Sequence, residues 1–251
     1  MNLKLRFISV FILLNSFGCG VLSQKTDLDY IQEAKQSLDN ERFDEALSTL
    51  QNVKQETEEV VQIKASALVG KGGFRILNIT DNVLLNKFIY PAYIILFKIS
   101  RVYQSNDIDN TRKAEKILEE FSKNHQISKE TMFFQSLIFF YKASQILSKN
   151  SDINSQGPLS PNWDPCEESQ FPSADIRETI VSLNKGAKLL ASIKRISSAD
   201  PLSDFFNILL EIPSTGVVEF ILNENEVIPQ KVVEYRNFLN KEVLSKTNIC
   251  Y

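Results

Sequence analysis

The chain is poor in the residues that break helices and in those that build metal and enzyme sites. Its 251 residues include eight glycines, eight prolines, one histidine and three cysteines. The scarcity of glycine and proline, among many Leu, Ile, Lys, Glu and Ser residues, favours an all-helical fold. A single histidine, with no cysteine pair at zinc spacing, argues against a metal site. We therefore predict an all-α protein with no metal and no cofactor.

An excess of positive charge is also missing. The chain carries 28 Lys and Arg residues against 31 Asp and Glu residues, so its net charge is −3, and the sequence pI is about 5.4. No basic patch or stripe stands out along it, although such a patch is the usual electrostatic footprint of a nucleic-acid-binding protein. Nucleic acid is therefore not an expected partner.

Catalytic signatures are absent too, and no Gly-x-Ser-x-Gly elbow occurs. Residues 70–72 read GKG, but Ala65 and Gly72 stand where a phosphate-binding loop needs Gly and Ser or Thr. His125 falls in an expected exposed turn, and no pattern brings together a nucleophile, a base and an oxyanion donor. We predict a protein that is not an enzyme. The acidic residues that are candidates for acid–base chemistry are expected to be solvated: Glu56, Glu58, Glu59, Glu167 and Glu168.

The N-terminal residues 1–18 have the pattern of a secretion leader. Lys4 and Arg6 supply its positive end, and residues 7–14 form an apolar run interrupted only by Ser9. A helix of that length reaches only ~12 Å, which is too short for the ~30 Å hydrocarbon core of a membrane. The segment is therefore expected to target the chain for export and to be removed.

Residues 16–19 read SFGC and resemble a bacterial lipobox. The resemblance implies cleavage before Cys19, a diacylglycerol on its thiol and a further amide-linked acyl chain, which together make a stable membrane anchor. Residues 19–26 would then be a tether. The residue after Cys19 is Gly20 and not Asp. In such families this favours the outer membrane, with the protein facing the periplasm. The alternative is an ordinary signal peptide with an incidental cysteine.

Three cysteines are an odd number, and lipidation of Cys19 would leave Cys166 and Cys250 as a pair. In an oxidising compartment this pair is expected to form a disulfide. The bridge would close a loop of about 85 residues, worth roughly 4 kcal/mol in the chain-entropy model. It would also hold the chain terminus against the loop around Cys166. The alternative is two buried or free thiols.

The stretch from residue 30 to 77 predicts three helices with small side chains where they meet. Tyr30, Ala34 and Leu38 form one stripe at helical spacing, and a turn at residues 39–40 leads to a second. Helical glycine costs about 1 kcal/mol against Ala, so the small residues of the third helix need a reason, which we take to be close helix packing. The second stripe consists of Phe43, Ala46, Leu47, Leu50 and Val53. The small residues are Ala65, Ala67, Gly70, Gly72 and Gly73.

The first two helices resemble a tetratricopeptide repeat, in which aromatic and small residues hold fixed slots of a ~34-residue unit. Tyr30, Ala34, Phe43 and Ala46 occupy those slots, and the chain is similar to bacterial envelope lipoproteins of this type. The resemblance implies antiparallel helical hairpins stacked into an array with a concave binding face. It extends to the helical T-component lipoproteins of TRAP-type transport. The chain departs from the pattern at Glu33, Ser37 and Glu58.

The rest of the chain is expected to continue one helical domain over residues 27–251. Helices are predicted at residues 88–103, at 111–123, after a Ser128 cap, from Ser173, over 200–212 and over 227–246. Residues 217–222, after a turn at 213–216, are either a strand or a helix, and a helix is favoured. A long loop at residues 148–173 contains Trp163, which is either a lid over a groove or a packing residue. Tyr93 and Phe97 are the other candidates to line such a groove.

These features favour a non-catalytic, lipid-anchored envelope protein that binds a protein or peptide partner. The first alternative is a ligand-binding accessory of periplasmic substrate transport, with an aromatic-lined hole through the array. The second is an enzyme that acts on envelope polymers, which would need paired carboxylates converging in a cleft, with the loop around Cys166 as the candidate wall.

Overall fold

The computed structural model describes residues 25–74, 108–151, 162–193, 229–244 and 249–250. Within these ranges the protein is all-α, as predicted, with seven packed helices and no strand. No described helix has the length and apolar character needed to cross a membrane. The helices are α1 Asp27–Asp39, α2 Phe43–Thr49, α3 Glu58–Lys71, α4 Ile108–Asn124, α5 Lys129–Ser151, α6 Ser173–Ser192 and α7 Pro229–Phe238.

Helices α1, α2 and α3 form the three-helix unit that the sequence predicts. Thr26 begins α1 with a capping box, in which its side chain accepts from the Asp29 amide and the Asp29 carboxylate accepts from the Thr26 amide at 2.8 Å. Ala34 and Ala46 are fully buried where α1 and α2 meet. The buried stripe of α1 differs from the prediction, because it runs through Ile31, Ala34 and Ser37. Tyr30 and Leu38, the other two residues of the predicted stripe, are only half-buried.

Gly70 lies near the end of α3, where the side chain of Phe43 approaches its backbone. A Cβ atom at this position would clash with the ring of Phe43. The absence of a side chain therefore allows α2 and α3 to pack closely, which is the role that the sequence predicts for the small residues. The chain then turns at Gly73, whose φ of 87° lies in the region that favours glycine.

Replacement of Gly70 by Val should lower the free energy of unfolding by about 1–3 kcal/mol, because the Phe43 ring must leave its place. Gly70→Ala should cost less, since the gain of about 1 kcal/mol in helix propensity offsets part of the clash. Urea unfolding measures both. Phe43→Ala in the Gly70→Val background should restore part of the loss. Additive losses would show that the two residues are not coupled through this contact.

Helix α5 is the central element of the larger core. It packs most extensively against α6 and also contacts α4 and α3. Because neighbours surround it, residues on all its faces are buried over most of its length. The Tyr141 hydroxyl donates to the Gly72 carbonyl at 2.7 Å, and Gln145 Nε2 donates to the same oxygen at 3.3 Å. Helix α5 thus provides hydrogen-bond donors for a carbonyl at the C-terminal end of α3, and it connects the α1–α3 unit to the larger core.

The last helix matches its prediction closely. Val232, Tyr235 and Leu239 are buried and Phe238 packs against the core. After Phe238 the chain continues as a π-helical turn at Leu239–Val243. Burial raises the pKa of the Tyr235 hydroxyl above its ordinary value. The predicted helix at residues 88–103, the predicted helix at 200–212 and the segment at 217–222 lie outside the described residues.

Candidate binding groove

An open groove of about 650 Å³ lies where the end of α4, the start of α5 and the end of α6 meet. This volume is within the range of about 300–1,000 Å³ that ligand sites usually have. We call it the binding groove. It is lined by Glu119, Ser122, Lys123, His125, Gln126, Ile127, Met132, Gln135, Phe139, Lys185, Lys188 and Leu189.

Phe139 from α5 is the aromatic part of this lining, although its side chain is almost entirely buried. The ammonium group of Lys185 lies 5.4 Å from the Phe139 ring centroid, and that of Lys142 lies 5.8 Å from it. Both distances allow attraction between the cation and the ring. The lysine charges therefore help to hold the ring in place at the groove.

Lys185 is anchored between α6 and α4. Its ammonium group lies 2.6 Å from the Glu119 carboxylate and 3.6 Å from that of Glu115. Burial lowers the pKa of Lys185, but the hydrogen bonds and charges of the two glutamates outweigh it, so the pKa is raised. This lysine is a fixed positive charge at the groove wall. Lys123 and Lys188 lie at the exposed rim.

His125 is exposed, as the sequence predicts, but it also lines the groove. Its ring stacks on that of Phe121, with centroids 4.2 Å apart. Its Nδ1 atom lies 3.1 Å from the Phe121 carbonyl oxygen. This arrangement orients the imidazole as part of the rim.

Helices α4, α5 and α6 are joined by a network of ion pairs beside the groove. The ammonium group of Lys142 binds the Glu115 carboxylate and lies 3.7 Å from that of Glu178. Arg112 donates to both oxygens of Glu178, at 2.9 Å and 2.6 Å. The sequence gives no sign of this network, because its members come from three helices.

Among the residues that the structure describes, these carboxylates come closest to the paired acids that the enzyme alternative needs. Each of them is neutralised by a cation. The hydrogen bond from Arg112 and the charge of Lys142 outweigh burial and lower the pKa of Glu178. A general acid for glycoside cleavage needs the opposite shift. The network is therefore suited to holding the helices together.

Glu58 is not simply solvated, which corrects the prediction. Its Oε1 accepts from the Ser128 amide at 2.8 Å and from the Thr131 hydroxyl, so it completes the cap of α5 from the start of α3. The predicted Ser128 cap is confirmed, since the Thr131 amide donates to Ser128 Oγ at 3.2 Å. Hydrogen bonds from Ser128 and Thr131 lower the pKa of Glu58.

Trp163 is a buried packing residue, which is the second of the two alternatives that the sequence leaves open. Its side chain is 1% exposed, and its ring centroid lies 6.0 Å from that of Phe171. It does not line the binding groove. The indole is large and mostly apolar, so it is buried in the larger hydrophobic core together with Phe171.

The loop at residues 162–172 is held to the end of the chain. A disulfide joins Cys166 to Cys250, with Cα atoms 5.1 Å apart, as the cysteine count suggests. Cys250 is held in turn by Asn237, because its amide donates to Asn237 Oδ1 at 2.6 Å. The buried Arg236 donates to the carbonyls of Cys166 and Phe171, at 3.1 Å and 2.8 Å. The segment is therefore a fixed part of the fold.

Glu168 contacts both Arg236 and the start of α6, so it is not simply solvated, in contrast to the prediction. Its carboxylate accepts from the Ser173 amide at 2.7 Å and from the Ser173 hydroxyl at 2.6 Å, which caps α6. It also forms an ion pair with Arg236. The hydrogen bonds from Ser173, followed by that from Arg236, lower the pKa of Glu168 to about 2.

The stability of the protein should fall in acid partly through Glu168. Because its folded pKa is depressed, its contribution is complete above the unfolded pKa and disappears as the pH falls from about 5 towards 2. The side chain is 62% exposed, so solvent screening keeps this contribution under about 1 kcal/mol. Urea midpoints across this range should fall less steeply for Glu168→Gln. Glu167→Gln is the control, and equal slopes for both variants would contradict the assignment.

The other predicted site residues lie in parts of the chain that the structure does not describe. Cys19, Tyr93 and Phe97 lie outside the described residues, as do the leader at 1–18 and most of the tether at 19–26. The described part of the chain contains no group of three or more His, Cys, Asp or Glu residues arranged to hold a metal ion. Comparisons with protein-family models, curated proteins and solved structures found no match.

Proposed function

We propose that this chain is a non-catalytic, lipid-anchored protein of the bacterial cell envelope, whose packed helices bind a protein or peptide partner. Cys19 would carry the lipid, and the helical domain would face the periplasm from the outer membrane. The leader-like residues 1–18 and the lipobox-like residues 16–19 support the anchor. The hairpin of α1 and α2, with Ala34 and Ala46 fully buried, supports the resemblance to a tetratricopeptide repeat.

The binding groove is the observation that carries the proposed binding function. It is open, and it combines an aromatic and aliphatic lining with lysines at its wall and rim. Such a mixture is typical of sites where a few polar groups orient a ligand and apolar surface supplies affinity. The nearby acidic groups support a binding role over a catalytic one, because Glu115, Glu119 and Glu178 are each bound by lysine or arginine.

A second candidate function is that of a ligand-binding accessory of substrate transport in the periplasm. The volume of about 650 Å³ favours it, because a small molecule could fill such a groove. Under this alternative the purified protein would bind a small solute and no protein. The two candidates thus differ in what is recovered with the protein.

Crosslinking of the lipidated protein in its native envelope, followed by affinity isolation and mass spectrometry, tests the proposal. We expect one protein partner to be enriched over a matched lipoprotein of unrelated fold. Intact mass of the mature chain tests the anchor separately. A mass equal to residues 19–251 without added acyl groups would exclude the lipid, and the absence of any enriched protein would exclude the scaffold role.

A further inference from the structure

The two cysteines of the disulfide are also held by hydrogen bonds that do not involve their sulfur atoms. The Cys166 amide donates to Asp164 Oδ1 at 2.9 Å, and its carbonyl accepts from Arg236 at 3.1 Å. The Cys250 amide donates to Asn237 Oδ1 at 2.6 Å, and its carbonyl accepts from Asn237 Nδ2 at 3.3 Å. All four backbone polar groups of the pair are thus bonded, and three of the bonds come from adjacent residues of α7.

Helix α7 is fixed in the core by contacts other than the disulfide. Val232 and Tyr235 are buried, and Arg236 is also bound to the Glu168 carboxylate and the Phe171 carbonyl. None of these contacts needs the bond between the two sulfur atoms. When that bond is open, α7 therefore keeps the two thiols aligned, so the entropy of bringing them together is already spent. The covalent bond still adds stability of its own, because it restricts the unfolded chain.

The two cysteines differ in their access to solvent. Cys250 is 4% exposed, whereas Cys166 is partly exposed. The two residues after Cys166, Glu167 and Glu168, are exposed as well. In thiol–disulfide exchange a thiolate attacks one sulfur of a disulfide, and the rate depends on access to that sulfur. A thiol reagent from solvent therefore meets Cys166 first.

We propose that the disulfide opens and re-forms within the folded protein, with Cys166 as the entry cysteine and Cys250 as the resolving cysteine. Arg236 and Asn237 act as positioning residues, because they hold the backbones of the two cysteines. The reaction partner is a thiol–disulfide exchange reagent, either a small disulfide or a disulfide-bearing protein. The inference goes beyond the proposed binding function and does not depend on it.

The exchange reaction is balanced without any further reagent. To re-form the bridge, the Cys166 thiolate attacks the oxidant RS–SR, which gives a mixed disulfide and releases one RS⁻. The Cys250 thiolate then attacks Cys166 Sγ, which forms the protein disulfide and expels the second RS⁻. The two protons of the protein thiols end on the two released RS⁻ groups. Two protein thiols are oxidised while one disulfide is reduced to two thiols, and opening of the bridge is the reverse.

A redox titration of the full chain tests whether the fold aligns the thiols. Cys19→Ser in every sample leaves Cys166 and Cys250 as the only cysteines. The protein is equilibrated with 2-mercaptoethanol and its disulfide, an uncharged probe that Glu167 and Glu168 do not repel. The samples are then quenched in acid and alkylated, and mass spectrometry measures the reduced, mixed and bridged forms.

The ratio of bridged to reduced protein gives the effective concentration of one thiol at the other. We expect it to be at least about thirtyfold higher in buffer than in concentrated guanidinium, because the fold and the bridge stabilise each other by the same factor. A ratio near one would overturn the proposal. So would loss of the helical circular dichroism of the reduced protein in buffer, since exchange would then need unfolding.

Replacement of Asn237 by Ala tests the positioning role. It removes both hydrogen bonds to Cys250, so it should lower the effective concentration in buffer by about tenfold. Val232→Ala is the matched control, because it shortens a buried apolar side chain of α7 that cannot form a hydrogen bond to either cysteine. It should lower the urea midpoint and leave the effective concentration unchanged. Equal values for the two variants would show that Asn237 does not position Cys250.

Single-cysteine variants test the order of the two steps. Cys250→Ser leaves the Cys166 thiol, and Cys166→Ser leaves the Cys250 thiol. In buffer, the disulfide of 2-mercaptoethanol should modify Cys166 at least about tenfold faster than Cys250, because access limits exchange at the buried thiol. In concentrated guanidinium the two rates should converge, since the fold no longer protects either thiol. Equal rates in buffer, or a faster reaction at Cys250, would overturn the assignment of the entry cysteine.

Discussion

Replacement of Lys142 by Met should lower the free energy of unfolding by about 3–5 kcal/mol, because it removes the directly bonded cation of the largely buried Glu115 carboxylate. The Lys142 side chain is 6% exposed and that of Glu115 is 11% exposed. After the change, Glu115 would keep only Lys185, at 3.6 Å. Thermal unfolding measures the effect, since each kcal/mol corresponds to about 2–4 °C in a domain of this size.

The matched double variant separates a lost ion pair from a lost packing contact. Lys142→Met with Glu115→Met removes both charges and fills the space with apolar atoms, which is often neutral or stabilising. Each remaining charge keeps a partner, because Lys185 retains Glu119 and Glu178 retains Arg112. The double variant should therefore recover most of the lost stability. A loss as large as that of the single variant would contradict the account.

Lys149→Met controls for the loss of a lysine from the same helix. Lys149 is 55% exposed and lies 3.5 Å from the Asp175 carboxylate. Exposed pairs contribute about 0–1 kcal/mol, so this change should be small. A loss comparable to that of Lys142→Met would show that burial does not explain the difference.

Removal of the disulfide by Cys166→Ser and Cys250→Ser should lower the free energy of unfolding by about 2–5 kcal/mol. The two residues are 84 positions apart, so the bridge restricts a large part of the unfolded chain. It also holds the 162–172 loop to the end of the chain beside Arg236 and Asn237. Guanidinium unfolding of the oxidised protein and the double variant measures the loss.

Reduction of the wild-type protein is the internal control. In the presence of a thiol reductant its unfolding curve should coincide with that of the double serine variant. Either single serine variant should show the same loss as the double, because each abolishes the same bond. A loss of unfolding free energy under about 1 kcal/mol would mean that the hydrogen bonds from Arg236 to Cys166 and Phe171 hold the loop without the disulfide.

The helices, and the small residues at which two of them approach closely, follow from local patterns that the sequence shows directly. Ala34 and Ala46 recur where two helices must meet, and Gly70 marks a close approach by its lack of a side chain. The pairing of Cys166 with Cys250 follows from the count, once Cys19 is assigned to the lipid. The spacing of apolar residues shows which face of a helix is apolar. The helices and their small contact residues can therefore be predicted from the sequence alone.

The binding groove could not be predicted, because its parts are distant in sequence and unremarkable alone. Lys123 and Lys188 lie on helices where charged residues usually face solvent, and Met132 belongs to a third helix. Glu58 accepts a hydrogen bond from Ser128, which lies 70 residues later at the start of α5, so no local pattern pairs the two residues. Spacing in one helix says nothing about which other helix is beside it. Such contacts become visible only when the helices are packed.

Site-directed photocrosslinking tests the central claim that the helices form a docking site at an envelope surface. A photoreactive residue in place of Leu189 in the groove, or in place of Lys113 outside it, is introduced into the lipidated full chain and irradiated in the native envelope. The account predicts a discrete protein or peptide adduct from position 189 and none from position 113. The same adducts from both positions, or none from position 189, would contradict it.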